Sequence, residues 1–156
     1  MNLEIIDNFL SHNDCDFLIN YFKKSQEIRK WNDTTFIHLE TTPISKIRIS
    51  WIRYWFRKRI EKIVPIKLNY DQIVCWDIMS NKQMHRDMSY DTSVDWTVVC
   101  YLNDDFEGGE TLVEDKKVSP KKGRVCLFPS AKLLHGVSLV KGNPRFTYIS
   151  WWEEKT

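Results

Sequence analysis

Long apolar runs are missing from this sequence, and with them any candidate for a bilayer-crossing helix, which needs about 20 consecutive apolar residues. Residues 1–10 contain acids and lack a basic region ahead of an apolar one, so they do not predict a secretion signal. We therefore expect a cytoplasmic protein without a membrane partner, located in the host cytoplasm if its source is a virus. The composition, 42% apolar and 28% charged over 156 residues, is typical of one soluble globular domain spanning residues 1–156.

Cysteine and histidine are scarce, with four of each in the chain. The cysteines show no CxxC spacing, which disfavours a disulfide framework or a zinc site and predicts reduced core thiols. They are Cys15, Cys75, Cys100 and Cys126. His12 and His38 fall in a predicted helix start and a loop, whereas His85 and His135 fall in the strand-rich half of the chain. Facing strands can bring that second pair together.

Charge of one sign is missing from two stretches, although the net charge is only +2. Residues 87–115 contain nine Asp or Glu and no Lys or Arg, whereas residues 46–62 contain seven Lys or Arg against the single acid Glu61. A basic helix can contact nucleic acid or an acidic partner. We favour the alternative that this run is the solvated face of a helix, because long basic side chains usually lie at the surface.

The first part of the chain shows helical periodicity. Ser11 followed by Asp14 indicates the start of a first helix, and residues 3–10 before it predict a short strand or an extended lead-in. The strongest helix is predicted over residues 47–63, where apolar residues recur four apart and the Pro at position 65 ends the pattern. Residues 26–43 show no clear period and are interpreted as loop or irregular strand.

From about residue 66 onwards the apolar period changes to two, which is typical of strands. Turn signals separate seven predicted strands, at 70–79, 83–87, 94–103, 110–113, 124–128, 134–138 and 145–152. Short strands after two helices predict an α+β fold, a jelly roll with N-terminal helices packed on its sheet. In this arrangement residues 1–66 form the helical support and residues 67–156 form the jelly-roll core.

His85 and Asp87 are two positions apart in a predicted strand, so their side chains point to the same face. His135 from a distant strand would complete a set of two His and one carboxylate, the ligand set of non-haem Fe(II) oxygenases. A lone His-x-Asp pair is more often a surface hydrogen bond, and a lone His in an apolar strand is more often a core residue. The combination of all three in one jelly roll favours the metal site.

Arg145 opens the last predicted strand, directly after a turn at residues 142–144. It is either a surface residue beside that turn or a guanidinium that points into the barrel while Phe146 and Tyr148 face the other way. Inside the barrel its planar fork would pair with a carboxylate. The spacing of ten residues from His135 predicts that both side chains lie in one pocket.

Together with the segments 101–103, 105–111 and 120–129, His85, Asp87, His135 and Arg145 resemble the motifs of the 2-oxoglutarate- and Fe(II)-dependent dioxygenases. The resemblance is greatest to the prolyl 4-hydroxylase-like branch and covers about residues 70–152. It implies a double-stranded β-helix that binds Fe(II) through His85, Asp87 and His135. It also implies that O₂ and 2-oxoglutarate react there, giving succinate and CO₂, and the family allows ascorbate as a further cofactor.

The resemblance also implies how the co-substrate is bound. The 1-carboxylate and keto oxygen of 2-oxoglutarate would chelate the metal, and its distal carboxylate would pair with Arg145. Tyr101 and Thr111 match positions that line the co-substrate pocket in this family. Thr147 shares a strand face with Arg145 and could hydrogen-bond the same carboxylate.

The sequence departs from the family pattern in three places. Trp76 stands nine residues before the first ligand, where many relatives place a tyrosine that touches the co-substrate, and we expect Trp76 to line the same pocket. A glycine common shortly before the first ligand is absent from residues 79–81. The basic anchor is Arg145, whereas collagen-type enzymes use lysine.

The surroundings of the predicted metal site suggest the kind of substrate. Apolar walls are expected from Met84, Met88, Trp76 and Trp151, and the rim is expected from residues 31–42 and 89–95. Asp91 and Asp95 would make that rim acidic, which predicts a neutral or basic substrate such as a proline-containing peptide. Phosphates would be repelled, so we do not expect nucleic acid as a partner.

Three other functions remain open from the sequence alone. An oxygenase acting on a free amino acid or small metabolite fits the small size of the chain. Nucleic-acid demethylation is disfavoured because residues 147–152 lack the further Arg that repair dioxygenases carry. A non-catalytic jelly-roll binding module would have no need for the four site residues. The sequence predicts no oligomeric state.

Overall fold

The computed structural model describes residues 2–87 and 94–155, which contain two helices and thirteen strands. The helices are α1 (His12–Lys24) and α2 (Ile47–Glu61). The strands are β1 (Glu4–Ile6), β2 (Arg29–Trp31), β3 (Thr34–His38), β4 (Ile66–Trp76), β5 (Lys82–His85), β6 (Trp96–Tyr101), β7 (Glu107–Gly108), β8 (Thr111–Val113), β9 (Lys116–Val118), β10 (Val125–Phe128), β11 (His135–Val137), β12 (Val140–Lys141) and β13 (Arg145–Glu154).

The strands form two main antiparallel sheets. The major sheet has seven strands in the order β1-β10-β6-β13-β4-β3-β2, and the minor sheet has four in the order β5-β11-β8-β9. Strands β7 and β12 form a separate two-stranded ribbon. Side chains of both main sheets line one cavity, so the sheets enclose it between them. The predicted α+β jelly roll with helices packed on its sheet is confirmed.

Both helices cover the outer face of the major sheet. The Ser11 side chain accepts a hydrogen bond from the Asp14 backbone N–H, as the capping pattern predicts, and fixes the start of α1. Phe22 of α1 packs against Phe146 at 5.7 Å between ring centroids. Phe56 of α2 packs against Tyr148 at 4.7 Å. Since side chains alternate along β13, Arg145 and Thr147 face the opposite side, towards the minor sheet.

The interpretation of residues 26–43 as a loop or irregular strand misses a hairpin. Strands β2 and β3 pair with each other, and β3 adds them to β4 at the edge of the major sheet. The pattern is hidden because every residue of β2 is exposed, so no apolar alternation marks it. The first 66 residues therefore supply strands of the sheet as well as helices. The division at residue 66 stays a prediction.

Four buried thiols lie in the core, as the cysteine spacing predicts, and none of them forms a disulfide. Burial raises the pKa of Cys15 to about 12, which keeps this thiol protonated and inert at neutral pH. Neither helix within the described ranges is long and apolar enough to span a membrane.

Candidate active site

The pairing of β5 with β11 brings the two predicted histidine ligands together. His85 and His135 are directly opposite each other in the antiparallel register, and their ring centroids are 4.3 Å apart. Gly136 permits this close approach, because a Cβ at that position would lie 2.5 Å from the Lys82 carbonyl oxygen. The minor sheet thus fixes the distance between the imidazoles.

Asp87 follows β5 and is held by two residues that the sequence did not single out. Its backbone N–H donates to the Ser130 carbonyl at 3.0 Å, and the Thr97 hydroxyl donates to its Oδ2 at 2.7 Å. The other oxygen, Oδ1, lies 3.1 Å from Nε2 of His135 and 3.4 Å from Nε2 of His85. The three potential ligand atoms all lie within 4.8 Å of one another.

Backbone carbonyls assign the protons on both imidazoles. Nδ1 of His85 lies 2.8 Å from the Gln83 oxygen, and Nδ1 of His135 lies 3.0 Å from the Leu133 oxygen. A carbonyl only accepts, so each neutral ring carries its hydrogen on Nδ1 and turns the Nε2 lone pair towards Asp87. Three electron-pair donors that converge on one point fit a bound cation.

The electrostatics of the site keep the carboxylate ionised. Burial alone would raise the pKa of Asp87, but its interactions with His135, His85 and Thr97 outweigh burial and hold that pKa well below its usual range. The interaction with Asp87 also raises the pKa of His85. In the absence of a metal, a proton therefore competes for the same place.

Arg145 lies deep in the same cavity and is only 2% exposed. Its Nε donates to the Gly109 carbonyl at 2.9 Å and its Nη2 to Thr111 Oγ1 at 3.1 Å. The rings of Trp76 and Tyr101 lie 5.3 and 5.2 Å from the guanidinium carbon. Within the described ranges no carboxylate pairs with Arg145. A buried cation without an anion is costly, so the pocket fits the carboxylate of a ligand.

The remaining predicted co-substrate residues surround Arg145 at two depths. Trp76 and Thr111 line the cavity, whereas Tyr101 and Thr147 are fully buried behind that lining. The Tyr101 hydroxyl is hydrogen-bonded to Thr111 and accepts from the Thr111 backbone N–H at 2.9 Å. The Thr147 hydroxyl has no hydrogen-bond partner among the described residues. The buried residues around Arg145 therefore include a hydroxyl group, that of Thr147, that no described residue engages.

The cavity has a volume of about 440 Å³ and largely apolar walls. Trp76 and Trp151 contribute to these walls as predicted, but Met84 does not. Because His85 points inwards, its neighbour Met84 points out to solvent. The predicted contributions of Met88 and Asp91, and of the rest of 88–93, lie outside the described residues.

The rim includes the turn between β2 and β3. Trp31, Asn32 and Asp33 line the cavity there and are exposed, as expected for the start of the segment 31–42, but residues 37–42 do not line it. Asp95 is not one of the lining residues, and its side chain instead accepts from the Glu154 backbone N–H at 2.8 Å. In the described part of the rim, the acidic side chain is therefore that of Asp33 and not that of Asp95.

Sequence reasoning missed Thr97, Ser130 and Gly136. A glycine directly after a candidate His ligand is a usable signal, because a strand interior otherwise disfavours glycine. Thr97 and Ser130 lie 10 and 43 residues from Asp87, and only the strand pairing brings them to it. No local pattern could have identified those two.

A set of two His and one carboxylate inside a jelly roll is typical of one class of protein, the non-haem Fe(II) oxygenases. The buried guanidinium beside it, which no described carboxylate pairs with, fits a further acidic ligand. The family model described as the 2OG-Fe(II) oxygenase superfamily matches residues 70–153, which is more than half of the chain. The protein belongs to this superfamily. It is thus an oxygenase whose family uses Fe(II), 2-oxoglutarate and O₂. No curated protein sequence matches the chain.

Solved structures share this fold across nearly the whole chain. A prolyl hydroxylase from Trichoplax adhaerens, in complex with a hypoxia inducible factor peptide fragment, has a TM-score of 0.81 at 17% identity, covering 97% of this chain and 83% of that one. A Pseudomonas putida prolyl-4-hydroxylase gives 0.78 at 14% identity, with 99% and 93% covered. The viral collagen prolyl hydroxylase of Paramecium Bursaria Chlorella virus-1 gives 0.70 at 24% identity, with 100% and 97% covered. At these identities the likeness establishes a prolyl 4-hydroxylase-like fold.

Proposed function

We propose that the protein hydroxylates a peptidyl residue, with proline as the leading target, and releases succinate and CO₂ from 2-oxoglutarate. His85, Asp87 and His135 hold Fe(II), and Arg145 binds the distal carboxylate of the co-substrate. One observation carries this proposal: three converging ligand atoms and a buried guanidinium that no carboxylate of residues 2–87 or 94–155 pairs with share a single cavity.

The iron and 2-oxoglutarate, when bound, supply the activation of O₂ that hydroxylation of a C–H bond requires. The chain's own residues supply geometry. The carbonyls of Gln83 and Leu133 hold the imidazole rings in their metal-binding orientation, and Thr97 holds the carboxylate of Asp87. Trp76 and Trp151 add apolar walls that exclude water from the reacting region.

The peptide substrate is supported by the fold and by the rim. Structural neighbours are named as prolyl hydroxylases, one of them in complex with a peptide fragment. The cavity mouth is open, and Asp33 on its rim favours a neutral or basic substrate. Ascorbate as a further cofactor and a cytoplasmic location stay predictions.

A free amino acid or other small metabolite is the second candidate substrate. The observation in its favour is the cavity volume of about 440 Å³, which falls within the usual range of about 300–1,000 Å³ for small-molecule sites. Family membership argues against the third alternative, a binding module without catalysis.

The test begins without substrate. Under anaerobic conditions, Fe(II) and 2-oxoglutarate should produce a weak visible charge-transfer band with the wild-type protein. His135→Ala should abolish the band, whereas Arg145→Ala should retain iron and require more 2-oxoglutarate. An unchanged band in His135→Ala would disprove the proposed ligand set.

Substrate class is tested next, in air. A library of proline-containing peptides and a mixture of free amino acids are each incubated with wild type and with His135→Ala. Mass spectrometry should find peptides that gain one oxygen atom only with wild type. A gain confined to the free amino acids would select the second candidate.

A further inference from the structure

Helix α2 is apolar on two opposite faces. Its inner face is buried in the core and consists of Ile49, Ile52, Phe56 and Ile60. Its outer face carries Ile47, Trp51, Tyr54 and Trp55, with exposed fractions of 76, 60, 40 and 52%. A helix that covers only one side of a sheet normally presents a polar face to water. We call the four exposed residues the outer α2 face.

The three rings of the outer α2 face form one continuous cluster. Trp51 stacks on Tyr54 at 5.9 Å between ring centroids and 16° between ring planes, and it meets Trp55 edge-on at 5.7 Å. Tyr54 and Trp55 are also in edge contact, at 5.4 Å. Large exposed aromatic clusters of this kind mark interaction surfaces, because the rings are pre-ordered and lose little entropy on binding.

A groove runs beside this cluster. It has a volume of about 740 Å³ and lies between α2 and the chain that enters α1. Trp51 and Trp55 form one wall, and Asn8 and His12 contribute to the other. A ridge next to a concave surface suits a partner segment that can insert side chains.

The charge around the outer α2 face is mostly positive. Arg53 and Arg59 are engaged inwards, with Asp71 and with the Phe9 carbonyl oxygen. Arg57 and Lys58 instead flank Tyr54, at 5.8 and 5.7 Å from its ring. Two acids lie nearby: Glu61, whose carboxylate is 3.9 Å from Lys58, and Asp14, which lines the groove and pairs with Arg48 at 3.3 Å. Both pairs are partly exposed and neutralise the surface only in part.

We propose that the outer α2 face and its groove bind a segment of a partner protein that combines acidic residues with aromatic or aliphatic ones. The positive rim supplies charge complementarity, and the rings supply the apolar centre. This surface is separate from the cavity, because α2 packs on Tyr148 while the neighbouring Arg145 and Thr147 face the minor sheet. A partner could therefore be bound while the active-site mouth stays open.

Other occupants fit the same observations less well. A lipid bilayer would leave the groove unfilled, since it presents a broad, nearly flat surface. Trp51 and Tyr54 already stack on each other, which leaves no slot between them for a nucleic-acid base. A twofold dimer through this face would bring the same basic rims together.

The test uses the full chain and short random peptides displayed on phage, selected on wild type after depletion on the variant Trp51→Ser/Trp55→Ser. Recovered peptides should contain Asp or Glu next to aromatic or aliphatic residues. As synthetic peptides they should bind the variant about tenfold more weakly or worse, as expected when central aromatic residues of an interface are removed. Arg57→Glu/Lys58→Glu should also weaken binding, and added salt should weaken it further.

Matched controls separate docking from folding. Ile28→Ser removes an exposed apolar side chain outside the outer α2 face, and Lys116→Glu/Lys117→Glu reverses exposed charge on β9. Neither variant should alter the affinity for the peptides. All variants should keep the wild-type melting temperature. Recovery of no peptides, of peptides without acids, or of peptides that bind the Trp variant equally would overturn the proposal.

The alternative occupants are measured in parallel. Wild type should not sediment with phosphatidylcholine–phosphatidylserine vesicles, should not bind poly(U), and should remain monomeric in light scattering. A Trp51- and Trp55-dependent signal in any of these three assays would assign the face to a membrane, to nucleic acid or to self-association instead.

Discussion

His85, Asp87 and His135 each use one polar atom to hold a fixed orientation and leave another free. Each imidazole engages a backbone carbonyl through Nδ1, and Asp87 accepts from Thr97 through Oδ2. The three free atoms then point at one another, an arrangement that lone pairs avoid unless a cation lies between them. At the scale of residues, metal affinity should depend on the groups behind the ligands as well as on the ligands.

Thr97 provides a direct test of that dependence. Thr97→Val keeps the shape of the side chain but removes the hydroxyl that donates to Asp87. We expect Fe(II) affinity to fall by about 10- to 100-fold, because outer hydrogen-bond partners of metal ligands typically contribute that much. Anaerobic Fe(II) titration, followed by tryptophan fluorescence, measures the change.

The matched control is Thr41→Val, an exposed threonine outside the cavity. It should bind iron as wild type does. Equal affinities in Thr97→Val and Thr41→Val would mean that Asp87 needs no support from Thr97.

A second residue-scale prediction concerns Arg145. Arg145→Gln keeps hydrogen-bonding capacity but removes the positive charge. 2-Oxoglutarate affinity should fall by about 10- to 100-fold, in line with the loss of about 1.5–3 kcal/mol expected for a charged hydrogen bond. Iron binding should not change, since Arg145 contacts Gly109 and Thr111, not the three ligand residues. Anaerobic titration of the charge-transfer band separates the two affinities, and Lys117→Gln is the control. A parallel loss of iron would contradict the assigned role.

At the scale of elements, periodicity predicts those parts of the fold whose burial is one-sided. Both helices and seven strands follow from apolar spacing, the strands being β4, β5, β6, β8, β10, β11 and β13. The i, i+2 relation also places His85 and Asp87 on one side, even though β5 ends at His85. The hairpin of β2 and β3 and the short strands β7, β9 and β12 do not follow from it. These elements are two to five residues long, and β2 is exposed throughout. Pairing with neighbours, not a local pattern, makes them strands.

The contact between α2 and the major sheet includes one buried ion pair. Arg53 of α2 binds Asp71 of β4 through two hydrogen bonds of 2.7 and 2.8 Å, and the Tyr148 hydroxyl donates to the same carboxylate at 2.6 Å. Asp71 is fully buried. Asp71→Asn should lower the free energy of unfolding by about 3 kcal/mol, because the partly buried guanidinium of Arg53 would lose its counter-charge.

Urea denaturation measures this effect as a lower midpoint with an unchanged slope. Asp16→Asn, which breaks an exposed pair with Lys122, is the control and should leave the midpoint nearly unchanged. If both variants had the wild-type midpoint, Asp71 would not anchor α2.

At the scale of the whole molecule, the two sheets enclose a cavity whose polar side chains are arranged to bind ligands. The cavity joins the three candidate metal ligands to the guanidinium of Arg145, so iron and 2-oxoglutarate bound as proposed would contact strands of both sheets. Ligands that bind only the folded state stabilise it by mass action. The effect should depend on pH, because protons compete with iron.

Stability of the protein with and without iron should therefore change with pH in opposite directions. Without metal, the raised pKa of His85 means that its charged form stabilises the fold at pH values below about 6.5, and this contribution is lost as pH rises through the raised value. The lowered pKa of Asp87 adds a contribution that is present above about pH 4 and is lost only at strongly acidic pH.

Iron needs both imidazoles neutral, so its affinity should rise over the pH range in which His85 loses its proton. Anaerobic Fe(II) at about 100 times its dissociation constant should add about 2.7 kcal/mol, or roughly 5–10 °C in melting temperature, at slightly alkaline pH. At the same ligand concentrations the gain should be clearly smaller near pH 6, and His135→Ala should show no iron-dependent gain at either pH. A gain that did not change with pH would mean that the cation displaces no proton from His85.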